Sequence, residues 1–312
     1  MKKIKIIIDT DIGSEMTDAA ALTLAAISEE IELLGVTTVT HDSVFRAYVA
    51  KKILKLLEKN GIPVAAGFGS GGAHLWEKEV VFPEAYPPSY MLDSRPAWKL
   101  IVDLVNKNDN VVLVGIGPAT NIAKALENDP SLPQKVSRLI LMGGMIEPPI
   151  VDGKTIPRGF EYNFCNDPTS IEKIMKAGFA LTLLPGDVTF RHDDPWSNAE
   201  LTQLAATEHP VIKLLVELEG KSLLAMREGM QKARLPKEFA KPWVNDEILM
   251  AYVIKPELFK TRDVFIRWDL PDKYPRLKLS ETGYPVRLVS DTNFLKTRQF
   301  IMSRLTNLKM KK

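Results

Sequence analysis

Short, continuously apolar runs alternate with longer segments of helical periodicity along most of this chain, and that alternation narrows the fold more than any other feature. Strands that are apolar on both faces must be covered on both faces, which calls for a mostly parallel sheet with helices packed on each side. "KIKIIID" reads as a buried strand and "DAAALTLAAISE" as the helix after it, with Thr17 or Asp18 able to cap its start. Next come "ELLGVTTVT" as strand, "VFRAYVAKKILKLLEKNG" as a long amphipathic helix closed by Gly61, and "IPVAAG" as strand. The rhythm resumes with "PAWKLIVDLVNKN" (helix), "NVVLVGIG" (strand), "ATNIAKALEND" (helix), "VSRLILMGG" (strand), "PTSIEKIMKAG" (helix) and "FALTLLPGD" (strand). After Pro256, "DVFIRWDL" and "YPVRLVS" read as short extra strands ahead of a last helix, "DTNFLKTRQFIMSRLTNL". The expected fold is α/β, an open, Rossmann-like, mostly parallel sheet, with residues 1–312 as a single domain. Two stretches read as insertions over a site: "GSGGAHLWEKEVVFPEAYPPSYMLDSRP" and the region around "EPPIVDGKTIPRGF".

In such a sheet ligands bind beyond the carboxyl ends of the strands. "IIIDTDIGSEMTD" places Asp9, Asp11, Glu15 and Asp18 at one of those ends. Crowded carboxylates repel one another unless they lie open to water or a cation holds them together. A solvated turn with a helix cap accounts for any two of them. Asp9 and Asp11 share a face of an extended segment, Gly13 permits a bend, and Asp18 starts the next helix, so more than a cap is called for. All-oxygen ligands suit calcium or magnesium rather than zinc.

The rest of the composition excludes other classes. Forty-one Lys and Arg against 39 Asp and Glu leave a formal charge of +2, with basic residues spread along the chain apart from the tail at Lys309, Lys311 and Lys312, so nucleic acid is not the expected partner. Cys165 is the only cysteine, which rules out a disulfide framework and suits a reducing cytosol. No run resembles a signal peptide or a membrane span, and a cytoplasmic location is expected. There is no P-loop, and "GSGGAH" is not followed by GKS or GKT, which counts against phosphoryl transfer.

"DTDIGSEMTDAAAL" resembles the N-terminal aspartate signature of the nucleoside hydrolases, calcium-dependent enzymes that cleave the N-glycosidic bond of ribonucleosides. Four further stretches match in order: "VVLVGIGPATNIAKALENDP", "LILMGG", "FEYNFCNDPTS" and "VNDEILMAYVIKPELF". The resemblance runs from about Ile4 to Phe259 and implies the nucleoside hydrolase fold. It implies calcium ligands at Asp11, Asp18, Asp246 and the main-chain carbonyl of Ile116. Asp11 would also be the general base for water, and Glu161, Asn163 and Asp246 would grip the ribose hydroxyls. Homodimers or homotetramers are common in the family. Taken alone, Asn121, Asn163 and Asp167 read as helix caps, Asp246 as an acid at a helix N-terminus, and Glu161 as a surface residue.

Two departures from the family pattern stand out. Where the signature has adjacent aspartates, this chain has Thr17 and Asp18; either Thr17 weakens ribose binding or Glu15 replaces the missing carboxylate. Where a histidine would protonate the departing base, the chain has Asn245, and an amide is no general acid. His41 and His192 each follow a strand and are candidates for that role, His74 lies in the first insertion, and His209 reads as structural or exposed. An indole stacked on the base offers another route, with Trp243 preferred over Trp76 and Trp196; Tyr162 and Tyr252 are further possible donors. The expected function is hydrolysis of nucleosides to ribose and free base. The alternative is a nucleoside- or ribose-binding homologue that has lost turnover.

Overall fold

A computed structural model describes residues 2–69, 80–82, 90–191, 194–272 and 274–309. Its strands are β1 (Ile4–Thr10), β2 (Ile31–Thr38), β3 (Val64–Ala66), β4 (Val111–Gly115), β5 (Val136–Met142), β6 (Ile150–Val151), β7 (Lys154–Thr155), β8 (Leu181–Leu184), β9 (Phe259–Asp269), β10 (Arg276–Ser280) and β11 (Tyr284–Thr292). Nine of them form one sheet in the order β10-β9-β11-β8-β5-β4-β1-β2-β3, and β6 and β7 form a separate ribbon. Within the sheet only the pairings of β9, with β10 and β11, are antiparallel. The mostly parallel α/β sheet expected from the alternation is therefore present.

Side chains along β1 point alternately to opposite faces. Ile6 and Ile8 join one core, under helices Met16–Ile27, Ser43–Leu56 and Asp246–Ile254, while Ile7 joins the other, under helices Ala97–Lys107, Thr120–Asn128 and Pro168–Lys176. Helix Asp246–Ile254 is buried along its whole length, and Met16–Ile27 is buried from Met16 to Ala26. A helix apolar on all sides has no solvent face and belongs inside. These two pack together, so their first turns meet although 229 residues separate Thr17 from Asp246.

Local boundaries differ from expectation for identifiable reasons. Neither Thr17 nor Asp18 caps the first helix: Glu15 holds the cap position without a side-chain cap bond, because Thr17 bonds to Asp246 and Glu247 and Asp18 to Thr10. Gly61 does not close helix Ser43–Leu56. The chain turns at Glu58, which takes a left-handed φ of 59°, and Lys59 N–H returns to Leu54 O at 2.7 Å, satisfying a terminal carbonyl. The second expected insertion forms the β6–β7 ribbon and a turn at Arg158–Phe160, held by Arg158 donating to Met145 O and Ile146 O at 2.7 and 2.9 Å. Most of the first insertion lies outside the described residues, with His74 and Trp76, as does His192.

Strand order places the site. From β1 the chain moves outward one way through β2 and β3, then returns to lay β4 on the opposite edge of β1, and such a reversal opens a crevice at the strands' carboxyl ends. Asn121 braces the crevice. It is fully buried, and its Nδ2 donates to Asp9 Oδ1 (2.8 Å) and Thr38 O (2.9 Å) while its Oδ1 accepts Phe68 N–H (3.0 Å). It is a cross-strand tie, not a helix cap. Gly67 allows this approach, since a Cβ there would come within 2.1 Å of the amide oxygen. Thr37 Oγ1 also donates to Asp9 Oδ1 (2.6 Å), yet burial still pushes the Asp9 carboxyl up to about 7. Asn121→Ala strands Phe68 N–H and part of the Asp9 carboxyl, while Thr38 O keeps the Gly67 N–H, so a loss of about 2 kcal/mol is expected. Urea unfolding followed by circular dichroism checks it.

Candidate functional site

A cavity of about 320 Å³ opens at the crevice. Asp11, Glu15, Asp18, Glu161 and Asp246 bring five carboxylates to its wall, against a single guanidinium from Arg46. Asp11 follows β1, and Asp18 lies in the first turn of the next helix, where its Oδ1 accepts a short hydrogen bond from Thr10 Oγ1. Arg46 is buried and donates to Ile12 O (3.0 Å) and Ser14 Oγ (3.2 Å), pinning the loop that carries these acids.

Asp246 enters from the other buried helix. Its N–H donates to Thr17 Oγ1 at 2.7 Å, and the one hydroxyl hydrogen of Thr17 lies between Glu247 Oε2 (2.6 Å) and Asp246 Oδ2 (3.1 Å). Asp246 Oδ1 is buried with no hydrogen-bond partner.

Glu161 and Asn163 reach the wall because β5 ends in Gly143 and Gly144, with φ of +150° and +76°. A Cβ on Gly143 would lie 2.4 Å from the Phe164 ring, so glycine lets the short helix Tyr162–Asn166 close onto the strand end. Glu161 is 2% exposed, not a surface residue, and accepts Asn163 N–H (2.8 Å) and Phe164 N–H (3.1 Å). Asn163 Nδ2 donates to Ile116 O (3.2 Å) and Met142 O (3.1 Å), which turns its amide oxygen into the group free for a ligand. Asp167 is the cap of helix Pro168–Lys176, as its position alone suggested.

One side of the cavity is apolar, built from Phe160, Phe190, Met226 and Trp243. The Trp243 ring meets Phe190 edge-on at 5.5 Å, and its Nε1–H donates to Phe239 O at 3.0 Å, so it offers a ligand carbon surface only. Asn245 also lines the wall. At the rim, His41 Nε2 and Tyr162 Oη lie 2.9 Å apart. The other candidates are elsewhere: His209 caps helix Pro210–Ala233 through Nδ1, and Trp196 and Tyr252 are buried in the core away from the cavity.

Burial is the first cause of the unusual proton affinity here. It pushes Glu15 and Glu161 up to about 7 and Glu219 and Glu247, just behind the wall, up to about 8. Asp18 and Asp246 are raised well above the ordinary carboxylate range by burial and then by their acidic neighbours, Asp11 first for Asp18 and Asp18 first for Asp246. Such a wall calls for a positive partner. Among the described residues no group of three or more His, Cys, Asp or Glu side chains is arranged to hold a metal ion. The donor chemistry nonetheless fits a hard cation: Asp11, Asp18, Asp246 and Ile116 all line this cavity, every donor is oxygen, and the Asp246 Oδ1 has no other partner.

Of the residues expected at the site from the sequence, Asp11, Thr17, Asp18, His41, Ile116, Glu161, Asn163, Trp243, Asn245 and Asp246 border one cavity. Asp9 does not; it is the buried brace below. Arg46 and the apolar residues Phe160, Phe190 and Met226 also line the cavity and carry no mark of it in the sequence. Arg46 sits amid a helix otherwise read as amphipathic, where a basic residue carries no signal of burial.

A family model described as inosine-uridine preferring nucleoside hydrolase matches residues 6–289. The pyrimidine-specific ribonucleoside hydrolase of Enterobacter sp. (strain 638) is 30% identical over 286 residues, covering 86% of this chain and 85% of that one. The protein of the same description from Shewanella oneidensis is 30% identical over 276 residues, covering 84% and 81%. Among solved structures, a plant nucleoside hydrolase superposes with a TM-score of 0.82 at 20% identity, covering 98% of this chain and all of that one. A purine-preferring ribonucleoside hydrolase from Gardnerella vaginalis gives 0.79 at 20% identity, covering 97% and 98%.

Glu219 generates a test of the buried charge. Its carboxyl, which accepts Met16 N–H at 3.4 Å, has its proton affinity raised from about 4.5 to about 8 by burial and then by Glu15 and Glu247. A folded carboxyl that holds its proton more tightly than the unfolded one favours folding at low pH, and the benefit is lost as pH climbs from about 4.5 through about 8. Glu219→Gln carries no proton to lose, so its melting temperature should fall less than that of the wild type between pH 5 and pH 8.5 in scanning calorimetry. An unchanged slope would contradict this.

Proposed function

Because the chain belongs to the inosine-uridine preferring nucleoside hydrolase family, we propose that it hydrolyses the N-glycosidic bond of ribonucleosides to ribose and a free nucleobase. One observation carries the reading: five carboxylates and an unpartnered Asp246 oxygen surround a small cavity at the sheet's reversal point. Asp11, Asp18, Asp246 and the Ile116 carbonyl would hold calcium. When bound, the ion supplies Lewis-acid activation of water and an anchor for sugar hydroxyls.

The chain's own groups divide the remaining work. Asp11 takes the proton of the water that attacks the anomeric carbon, while the electron pair of the breaking carbon–nitrogen bond leaves with the base. Glu161 and the amide oxygen of Asn163 accept hydrogen bonds from ribose hydroxyls and fix the ring for attack. Positive charge grows on the sugar as the base departs, and the surrounding carboxylates favour it. Thr17 acts on the sugar through Asp246, whose N–H it binds. Phe160, Phe190 and Trp243 supply carbon surface for the base. The amide of Asn245 can hydrogen-bond a base but cannot protonate it.

By the same reading residues 1–312 form one domain of a cytoplasmic enzyme that assembles as a homodimer or homotetramer and engages neither nucleic acid nor membrane. Among the described residues no helix is long and apolar enough to cross a membrane. Asn245 favours a second reading, a nucleoside- or ribose-binding homologue without turnover. Reducing-sugar release from a panel of pyrimidine and purine nucleosides with calcium decides between them. The hydrolase reading expects ribose from the wild type, a drop of about a hundredfold or more in Asp11→Asn, and loss of activity on chelation that calcium restores. Tight nucleoside binding with no ribose from any substrate would establish the binder instead.

A further inference from the structure

The leaving base needs a proton, and position 245 holds an amide. Several groups that could otherwise supply it are committed elsewhere. The N–H of Trp243 is donated to Phe239 O, and the Ser14 hydroxyl accepts from Arg46. Tyr252 is buried against Phe259, and His209 caps its helix. At the cavity rim two residues 121 apart in sequence come together, with His41 Nε2 2.9 Å from Tyr162 Oη and the rings stacked at 21°.

The backbone that delivers His41 is unusual. Thr40 and His41 both take left-handed φ, 67° and 40°, in the turn between β2 and helix Ser43–Leu56. Non-glycine residues adopt that region at a cost, and consecutive ones persist only where the surroundings impose them. Here the Thr40 N–H donates to Phe68 O at 2.8 Å, and Asp42 Oδ1 accepts Phe45 N–H at 2.9 Å to start the helix. Tyr162 lies between Glu161 and Asn163, the pair assigned to the ribose, and is 39% exposed at the cavity rim. A hydroxyl next to the sugar-gripping residues, and open to the rim, is placed for a base projecting from the anomeric carbon.

The geometry points to Tyr162 as the catalytic acid for the departing nucleobase, with His41 as the positioning residue that recharges it. This rests on the hydrolase reading above. As the carbon–nitrogen bond breaks, its electron pair goes to the base nitrogen, which takes the Tyr162 hydroxyl proton. The phenolic oxygen takes the Nε2 proton of the His41 imidazolium, and His41 regains a proton from solvent after products leave. The water's proton goes to Asp11, which releases it to solvent as His41 takes one up, so protons balance over the turnover. A phenol and an imidazole in series thus do what a histidine at position 245 would do.

4-Nitrophenyl β-ribofuranoside leaves as a stable phenolate and needs no proton, so it separates this role from sugar binding. With calcium present, Tyr162→Phe and His41→Asn should each lower turnover of inosine and uridine by about a hundredfold while lowering turnover of the nitrophenyl riboside by no more than about tenfold. Asparagine tolerates the left-handed turn, so His41→Asn carries the test if Tyr162→Phe fails to fold. Equal losses on both substrates would assign the pair to sugar binding or folding and overturn the proposal, as would no loss on either. A wild type that cleaves only the nitrophenyl riboside keeps the hydrolase reading and rejects the acid. A wild type that cleaves neither rejects both.

Discussion

Negative charge gathered in a place where water is scarce is the constraint around which this protein is built. Asp9, Asp11, Glu15, Asp18, Glu161, Asp246 and Glu247 converge at one sheet edge, and burial rather than any single neighbour dominates the proton affinity of those that are displaced. Only a rigid frame can keep such groups together. The frame consists of two helices with almost no solvent-facing residue, Met16–Ile27 and Asp246–Ile254, joined at their first turns by the Thr17 hydroxyl. Positive helix N-termini at that junction offset part of the repulsion, and Arg46 offsets another part from the loop side. The remaining imbalance is what a hard cation and an electron-poor sugar would meet.

Much of this is legible in the sequence. Unbroken apolar runs such as "KIIID" cannot be half-exposed strands, so the parallel, two-sided sheet follows directly, and the polar residues at each strand end fall at its carboxyl edge. Every residue assigned to the site from the resemblance does border the cavity. Residues that act across distant segments are harder to read. Asn121 looks like a cap beside "GPAT", yet its amide spans β1, β2 and the loop after β3, because the nearest unsatisfied polar groups belong to other strands. Glu161 looks like surface until Gly143 and Gly144 bring its helix onto β5. Arg46 carries no mark at all, since a guanidinium on a helix is ordinarily solvated and only the position of the first loop makes this one internal.

The cavity's two sides divide its chemistry. Carboxylates and carbonyls make up one part of its lining, and Phe160, Phe190, Met226 and Trp243 another, the three rings packed edge-on against one another. A polar ring with hydroxyls suits the first part and a flat, weakly polar ring suits the second. The amide at position 245 leaves this division intact.

Strand order has a consequence for biosynthesis. β1 is flanked by β2 and by β4, so its second neighbour emerges from the ribosome about a hundred residues after it, and domains fold as units once their partners are available. The helix that completes the acidic pocket emerges later still. A nascent chain therefore carries its aspartate loop for most of translation without the groups that give it form, and the acidic pocket belongs to the finished polypeptide rather than to the growing one.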